Sequence, residues 1–312
     1  FLIDFKQQKI IKPQEVIERI ATQNPYGQWL QENRITVKSL PAAKNVPEVN
    51  MENLINRQMA FGYSREDLHI LISPMAITGH QPQGSMGDDA PLAVLSDKPQ
   101  SLFSYFKQAF AQVSNPPLDA IREKLVTQFA VPAGRRLNIF ETTPLHCRTL
   151  RIDQPILRNS DLAKIKASDK PGVKAKTIST CFKAAEGAKG LDDALNRIRQ
   201  EASEAIEDEY TLLILSDREV NQDNAYIPSL LATGAVHHHL IRERNRAQAD
   251  IIIESGEPRE VHHFATLFGY GASAINPYLA FETIAGLQLS PTAEEKIPPQ
   301  EKAEENFCHA VE

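Results

Sequence analysis

Five imidazoles stand in two short blocks, His237-His238-His239 and His262-His263, and a set of that size invites a metal site. Consecutive residues on a helix point in different directions, however, and no member of either block has another His four residues on. The residue pattern therefore favours ring nitrogens bonded to backbone carbonyls at a domain interface, the usual way a buried His is satisfied. A stand-alone metal-dependent hydrolase or aldolase built on the His clusters is the competing reading. Ser216-Asp217-Arg218 and Glu254-Ser255-Gly256-Glu257 each end an apolar run, where α/β proteins place functional loops. For the first the alternative is a salt bridge and cap beside a helix.

A second set of candidates lies in the long stretch from Ser73 to Pro117, where Gly79, Gly84 and Gly87 alternate with Pro74, Pro82 and Pro91. That mixture predicts an irregular segment with special backbone angles, anchored by the apolar run Leu92–Leu95. Backbone N–H groups of Gly84-Ser85-Met86-Gly87 could cradle an anion, but Asp88 and Asp89 beside them would repel a phosphate. Adjacent carboxylates also rarely converge as an acid/base pair, so capping of the Gly-rich turn is their expected work. Ser114-Asn115-Pro116-Pro117 forms a stiff segment: the prolines fix φ and remove N–H groups, and Asn115 is pushed out of the helical region. The plain alternative is Asn115 as N-cap with Pro116 at the first helical position.

The elements that position these residues fall into two parts. Residues 1–167 read as helix-rich. A hairpin is expected at Phe1–Phe5 and Lys9–Ile11, and helices from Pro13 to Ile20, after Asn24, over Met51–Ala60, from Ser64, from Pro99 to Phe110 and over Leu118–Val126. Ser64 is a good N-cap, Gly62 a helix breaker, and Trp29, the only Trp, is expected in the core. The polar stretch 168–176 predicts a boundary. Beyond it, strands at Thr177–Phe182, Thr211–Leu215, Asp250–Ile253 and Ala274–Asn276 alternate with helices at Leu191–Ile206, Pro228–Arg246, Arg259–Gly269 and Pro277–Ile284. Nearly all-apolar strands are expected in a parallel sheet covered on both faces, so residues 168–290 form either half of a β/α barrel or one doubly wound sheet. Residues 291–312 read as a linker into an acidic helix with no room to finish.

Bulk properties exclude several functions. With 42% apolar residues the 312-residue chain can bury a real core. A net charge of -6 and a pI near 5.9 leave no basic face for nucleic acid. No apolar run approaches a bilayer span, and no signal peptide opens the chain. Cys147, Cys181 and Cys308 are widely spaced, which suggests reduced thiols in a cytosolic compartment and supplies no close set for an iron–sulfur cluster. Phe1 stands where an N-terminal-nucleophile glutaminase would need Cys, and the glycines at 256, 269 and 271 make no dinucleotide fingerprint. The chain reads as a piece of a longer protein.

The run Gly84-Ser-Met-Gly-Asp-Asp-Ala-Pro-Leu-Ala-Val-Leu-Ser, Tyr105-Phe-Lys-Gln and Asn115-Pro-Pro resemble the central domain of the large subunit of glutamate synthase. Pro25-Tyr26 with Trp29-Leu30, Leu213-Ile-Leu-Ser-Asp-Arg, Gly234-Ala-Val-His-His-His, Arg259-Glu-Val-His-His-Phe and Gly269-Tyr-Gly-Ala-Ser-Ala-Ile-Asn-Pro-Tyr extend the resemblance in one order. Departures are small: His80-Gln81 stands where the family more often has acidic residues, and Ser114 where it usually has Thr.

The resemblance implies a degenerate, TIM-barrel-like (β/α) barrel and a connector between a glutaminase domain and an FMN domain. The parent enzyme makes glutamate from glutamine and 2-oxoglutarate, and its FMN and 3Fe-4S cluster lie outside this fragment. Its electrons come from ferredoxin or an NADPH-oxidising small subunit, and it is cytoplasmic, or plastid-borne in a photosynthetic eukaryote. The resemblance further implies that ammonia tunnels past this domain, with Ser114–Pro117 at its route, and that the fragment alone is catalytically silent.

Overall fold

A computed structural model describes residues 1–47, 49, 51–83, 92–106, 118–289 and 297–312. Strands β1 (Leu2–Asp4) and β2 (Lys9–Ile11) form the expected antiparallel hairpin. Helix α1 (Pro13–Ala21) starts on proline, and α2 (Tyr26–Asn33) follows. Trp29 does not enter the core as expected: it is half-buried and meets Tyr26 edge-on at 5.5 Å, because α2 buries no residue fully. After β3 (Ile35–Thr36), helix α3 spans Leu54–Ala60 and ends at Gly62, whose φ of +70° suits the turn. Ser64 caps the next helix reciprocally: its N–H donates to Asp67 Oδ2 at 2.9 Å and the Asp67 N–H to Ser64 Oγ at 3.0 Å. That helix begins as a π-helical stretch, Asp67–Ile72, and continues as α4 (Ser73–Thr78).

Of the helix expected from Pro99 to Phe110, residues 99–106 are described, and they hold a single 3-10 turn at Leu102–Tyr105 with Phe106 already extended; 107–110 lie outside the described residues. The turn serves one residue, Phe103, which is buried, and a longer regular helix is not needed to place it. Helix α5 (Ala120–Val126) is capped by the Asp119 side chain. Strands β4 (Val131–Ala133) and β5 (Leu150–Ile152) join β3 in a small sheet ordered β3-β5-β4. Helix α6 (Asn159–Lys166) leads into the large sheet.

Strands β6 (Ala175–Ser179), β8 (Leu212–Ser216), β10 (Asp250–Glu254) and β11 (Ala272–Asn276) are all parallel and ordered β11-β10-β8-β6. The first expected strand breaks after Ser179, where the Thr180 N–H turns to the Ser216 carbonyl, and β7 (Cys181–Lys183) pairs instead with β9 (Asn224–Tyr226). Helices α7 (Gly187–Glu207), α8 (Ser229–Arg242), α9 (Val261–Gly269) and α10 (Tyr278–Gln288) follow the four sheet strands in turn.

The alternation of β side chains divides the sheet between two cores. Leu213, Leu215, Ile251, Ile253 and Ile275 pack under helices α7 to α10. Leu212, Ile214, Ile252 and Ala274 face Leu40, Leu150, Ile152, Leu162 and Ile165 from residues 1–167, and Val173 from the stretch that follows. The three crossover helices α7 to α9 and the following α10 thus all contribute to one face, and neighbours in the sheet are consecutive along the chain among these strands. The tail does complete its helix: α11 (Gln300–Val311) buries Ala303, Phe307 and Cys308 against α4 and α10. No helix of the described residues is long and apolar enough to cross a membrane.

Candidate functional site

The carboxyl ends of β8, β10 and β11 bring together residues from five elements. Glu254 ends β10 and is 1% exposed, while Glu282 lies in the first half of α10 and is equally buried. Between them sits Arg218, just past β8. Its Nε donates to Glu254 Oε1 at 2.6 Å, its Nη1 to Glu282 Oε1 at 3.3 Å and its Nη2 to Asn159 Oδ1 at 3.0 Å. Its guanidinium plane lies 4.2 Å over the Tyr278 ring. Lys166 at the end of α6 donates to Glu254 Oε2 at 2.6 Å, and Arg57 of α3 pairs with Glu282 Oε2. The result is a five-membered ladder of alternating charge, Lys166–Glu254–Arg218–Glu282–Arg57. Both of its ends, Lys166 and Arg57, come from residues 1–167.

The ladder's Glu254 carboxylate is held in the charged form. Burial alone would raise the Glu254 pKa, but Lys166 and Arg218 outweigh it and hold the carboxyl below its usual range. Asn276 at the end of β11 extends the network, donating to Leu157 O at 2.8 Å and Asn159 Oδ1 at 3.0 Å. Clefts of about 520 Å³ and 700 Å³ open on either side of Arg218. The loop at 41–47, Asn159 and Lys166 wall one, and Arg57, Asn221 and Glu282 wall the other.

One layer deeper, Asp217 is completely enclosed. It accepts from Ser255 Oγ at 2.5 Å and from the Gly256 N–H at 3.0 Å, and burial pushes its carboxyl up to about 7. Glu257 accepts both the N–H and the hydroxyl of Ser229 at 2.6 Å, at the start of α8, and burial raises its pKa as well. Tyr63, from the first half, donates to the Gly256 carbonyl at 2.9 Å. Burial pushes the Cys181 and Cys308 thiols up to about 12, so neither is a ready thiolate. Every group of the ladder already has an opposite charge, and Asp217 is sealed from any substrate. This arrangement suits holding two halves together better than moving protons.

The two strand-end loops singled out by sequence, Ser216-Asp217-Arg218 and Glu254–Glu257, therefore meet here, in the salt-bridge role. Lys166, Asn159, Arg57, Asn276 and Glu282 escaped sequence reasoning. The one signal was Glu282, a lone carboxylate inside the apolar run Tyr278–Ala285, which must find a cation if that helix is buried. The His blocks lie elsewhere. The His237 ring accepts from Arg246 Nε at 3.0 Å, His239 meets Ser203 Oγ at 2.9 Å, and His262 Nε2 meets the Phe103 carbonyl at 3.2 Å. His263 is buried, stacks on Phe103 at 4.3 Å and pairs with Glu260 at 2.8 Å. His238 is exposed, edge-on to His237 at 5.2 Å. Among the described residues no group of three or more His, Cys, Asp or Glu is placed to hold a metal ion. The loop Gly84–Asp89 and the segment Ser114–Pro117 lie outside the described residues.

A family model described as glutamate synthase central domain matches residues 56–312. Among curated relatives, the glutamate synthase [NADPH] large chain of Bacillus subtilis is 45% identical over 282 residues, covering 90% of this chain and 18% of that protein. The chloroplastic ferredoxin-dependent glutamate synthase of Spinacia oleracea is 40% identical over 321 residues, covering 99% of this chain and 20% of that protein. The glutamate synthase [NADH] of Schizosaccharomyces pombe is 37% identical over 325 residues, 99% and 15% respectively. The chain thus spans a fifth or less of the length of these relatives.

Proposed function

Because the chain belongs to the glutamate synthase central-domain family, we propose that it is the connector of a glutamate synthase large chain, an oxidoreductase that makes glutamate from glutamine and 2-oxoglutarate. The carrying observation is the coincidence of a family match over 56–312 with 37–45% identity to named glutamate synthases over at least 90% of the chain. In this reading a glutaminase domain and an FMN domain with a 3Fe-4S cluster belong to the same polypeptide and lie outside this segment. The electron donor is ferredoxin or an NADPH-oxidising small subunit, and the enzyme works in the cytoplasm or a plastid.

Within the segment, residues 1–167 form the helix-rich part, 168–290 the βα repeats and 291–312 the passage to the flavin domain. The repeats are half of a degenerate (β/α) barrel. Consecutive strand order and the packing of all four strand-following helices on one face support that reading over a doubly wound sheet, in which the order reverses and the crossover helices divide between the two faces. The charge ladder then holds the helix-rich part across the mouth of the sheet. No observation favours the metal-dependent hydrolase, whose His residues are engaged with Arg246, Ser203, Phe103 and Glu260.

Ammonia passes Ser114–Pro117 in this proposal. The prolines and Asn115 give a stiff rim of free carbonyls that accepts hydrogen bonds from a small neutral donor without trapping it. In the full-length enzyme, Asn115→Ala and a bulky residue at Ser114 each raise the glutamine hydrolysed per glutamate-forming turnover. A ratio at the wild-type value for both substitutions reduces the segment to a helix cap.

A further inference from the structure

At the opposite end of the sheet from the ladder, where β6 and β8 begin, lies an open cleft of about 710 Å³. Four cations face it, Arg135, Arg148, Lys170 and Lys174, against the two carboxylates Asp169 and Glu209. In a chain of net charge -6 that is a local reversal of sign. The two lysines are engaged: Lys170 Nζ donates to the Ser39 carbonyl at 3.2 Å, and Lys174 Nζ to the Asp208 carbonyl at 2.7 Å while lying 4.2 Å over the Tyr210 ring. The two arginines are not. Among the described residues, neither the Arg135 nor the Arg148 side chain has a hydrogen-bond or ion-pair partner. Arg57, Arg197, Arg218, Arg246 and Arg259, by contrast, all carry such partners.

The backbone builds this cleft. Gly172 sits on its floor at φ +86°, and a Cβ there would come within 2.9 Å of Arg148 Cγ and 3.0 Å of the Arg148 carbonyl oxygen. The Arg148 stem therefore lies directly on the Gly172 backbone. Gly134, next to Arg135, is at φ +129°, and a Cβ there would sit 3.4 Å from the Gly172 carbonyl. Both unpartnered guanidinium groups are thus carried by backbone that flanks one glycine. A guanidinium fork matches the two oxygens of a carboxylate or phosphate, so two forks on one cleft match a ligand with more than one such group. The volume falls in the range of small-molecule pockets.

We propose that this cleft binds a small polyanion, a compound bearing two or more phosphate or carboxylate groups, with Arg135 and Arg148 as its main ligands. This assignment is independent of the ammonia route.

Isothermal titration of the full-length polypeptide with inorganic pyrophosphate, and separately with citrate, at matched ionic strength tests it. Saturable binding of at least one anion is expected. Pyrophosphate alone marks a phosphorylated ligand, and citrate alone a polycarboxylate. Arg135→Gln and Arg148→Gln each weaken that binding about tenfold or more. Both side chains are exposed, so the variants keep the wild-type circular dichroism. Lys189→Gln, an equal charge change in the first turn of α7, leaves it within about twofold. Three results overturn the proposal: no saturable binding of either anion, equal weakening by Lys189→Gln, or hexaglutamate binding to the same arginines more tightly than both anions. The last would make the cleft a surface for an acidic protein segment.

Discussion

Replacing Arg218 with Met removes the central rung of the charge ladder while keeping most of the side-chain stem. Glu254 and Glu282 side chains are 1% and 2% exposed, so neither gains water when its partner leaves. Removing one member of a buried pair costs about 3–5 kcal/mol, chiefly through the charge left behind. Lys166 still serves Glu254 and Arg57 still serves Glu282, which lowers that cost. The guanidinium stacked on Tyr278 is also lost, adding about 1–2 kcal/mol for a largely desolvated cation over a ring. The expected net loss is about 3–5 kcal/mol, read as a shift of the urea midpoint by far-UV circular dichroism at unchanged slope.

A second arm isolates the pair. Glu254→Gln combined with Arg218→Met should cost clearly less, relative to Arg218→Met, than Glu254→Gln costs alone, with a coupling of about 1.5–3 kcal/mol. The pH dependence carries a sign. Glu254 is held below its ordinary pKa, so its contribution is present above the unfolded value near 4.5 and is lost as pH falls through the folded one. The gap between wild type and Arg218→Met should therefore narrow below about pH 4. A loss under about 1 kcal/mol at neutral pH, with additive double-variant costs, would refute the ladder as the clasp between halves.

Asp217 should show the reverse sign: its pKa is raised to about 7, so the stability it contributes is full below the ordinary value of 3.8 and is gone above 7. Asp217→Asn, which can still accept from Gly256, should therefore gain on wild type by a few kcal/mol, order of magnitude, between about pH 5 and pH 8; a pH-independent difference sinks this reasoning. His263→Ala should cost about 1–3 kcal/mol through the lost Phe103 stack and Glu260 pair, and exposed His238→Ala about 0.5 kcal/mol or less; equal costs in thermal melts would contradict the assignment. Gly271→Ala should lose more than about 1 kcal/mol, since φ is +107° and a Cβ would overlap the His237 ring; a neutral substitution would show that the ring is free to move.

Local chemistry made much of this fold legible. The runs Leu212–Ser216 and Asp250–Glu254 are continuous enough in apolar residues that only a doubly covered parallel strand fits them, and the Ser64 cap announces itself three residues from Asp67. The strand-end loops were visible for the same reason, because they are the polar residues that stop those runs. The ladder was not visible, because Arg57 and Glu282 lie 225 residues apart and nothing local ties them. The described part of the Pro99 segment, residues 99–106, misled because a run of helix-compatible residues says nothing about a single Phe that needs placing. Trp29 misled because size favours burial only where a surface covers the ring, and α2, though it packs beside the 3-10 turn Pro144–Cys147, buries no residue fully. His238 shares its block with two engaged rings, and only the helix phase separates them.

The division of the sheet between two cores also constrains synthesis on the ribosome. Leu40, Leu150, Ile152, Leu162 and Ile165 leave the exit tunnel well before the strand residues they cover, and Ala274 comes last. At translation rates of roughly 5–20 residues per second, the interval from Ile165 to Ala274 is roughly 5–20 s. For that time an apolar surface of the nascent chain has no mate. A helper that shields exposed hydrophobic surface would meet this chain as a stalled half-sandwich, and a pause after Lys166 would prolong that state while a pause after Asn276 would not.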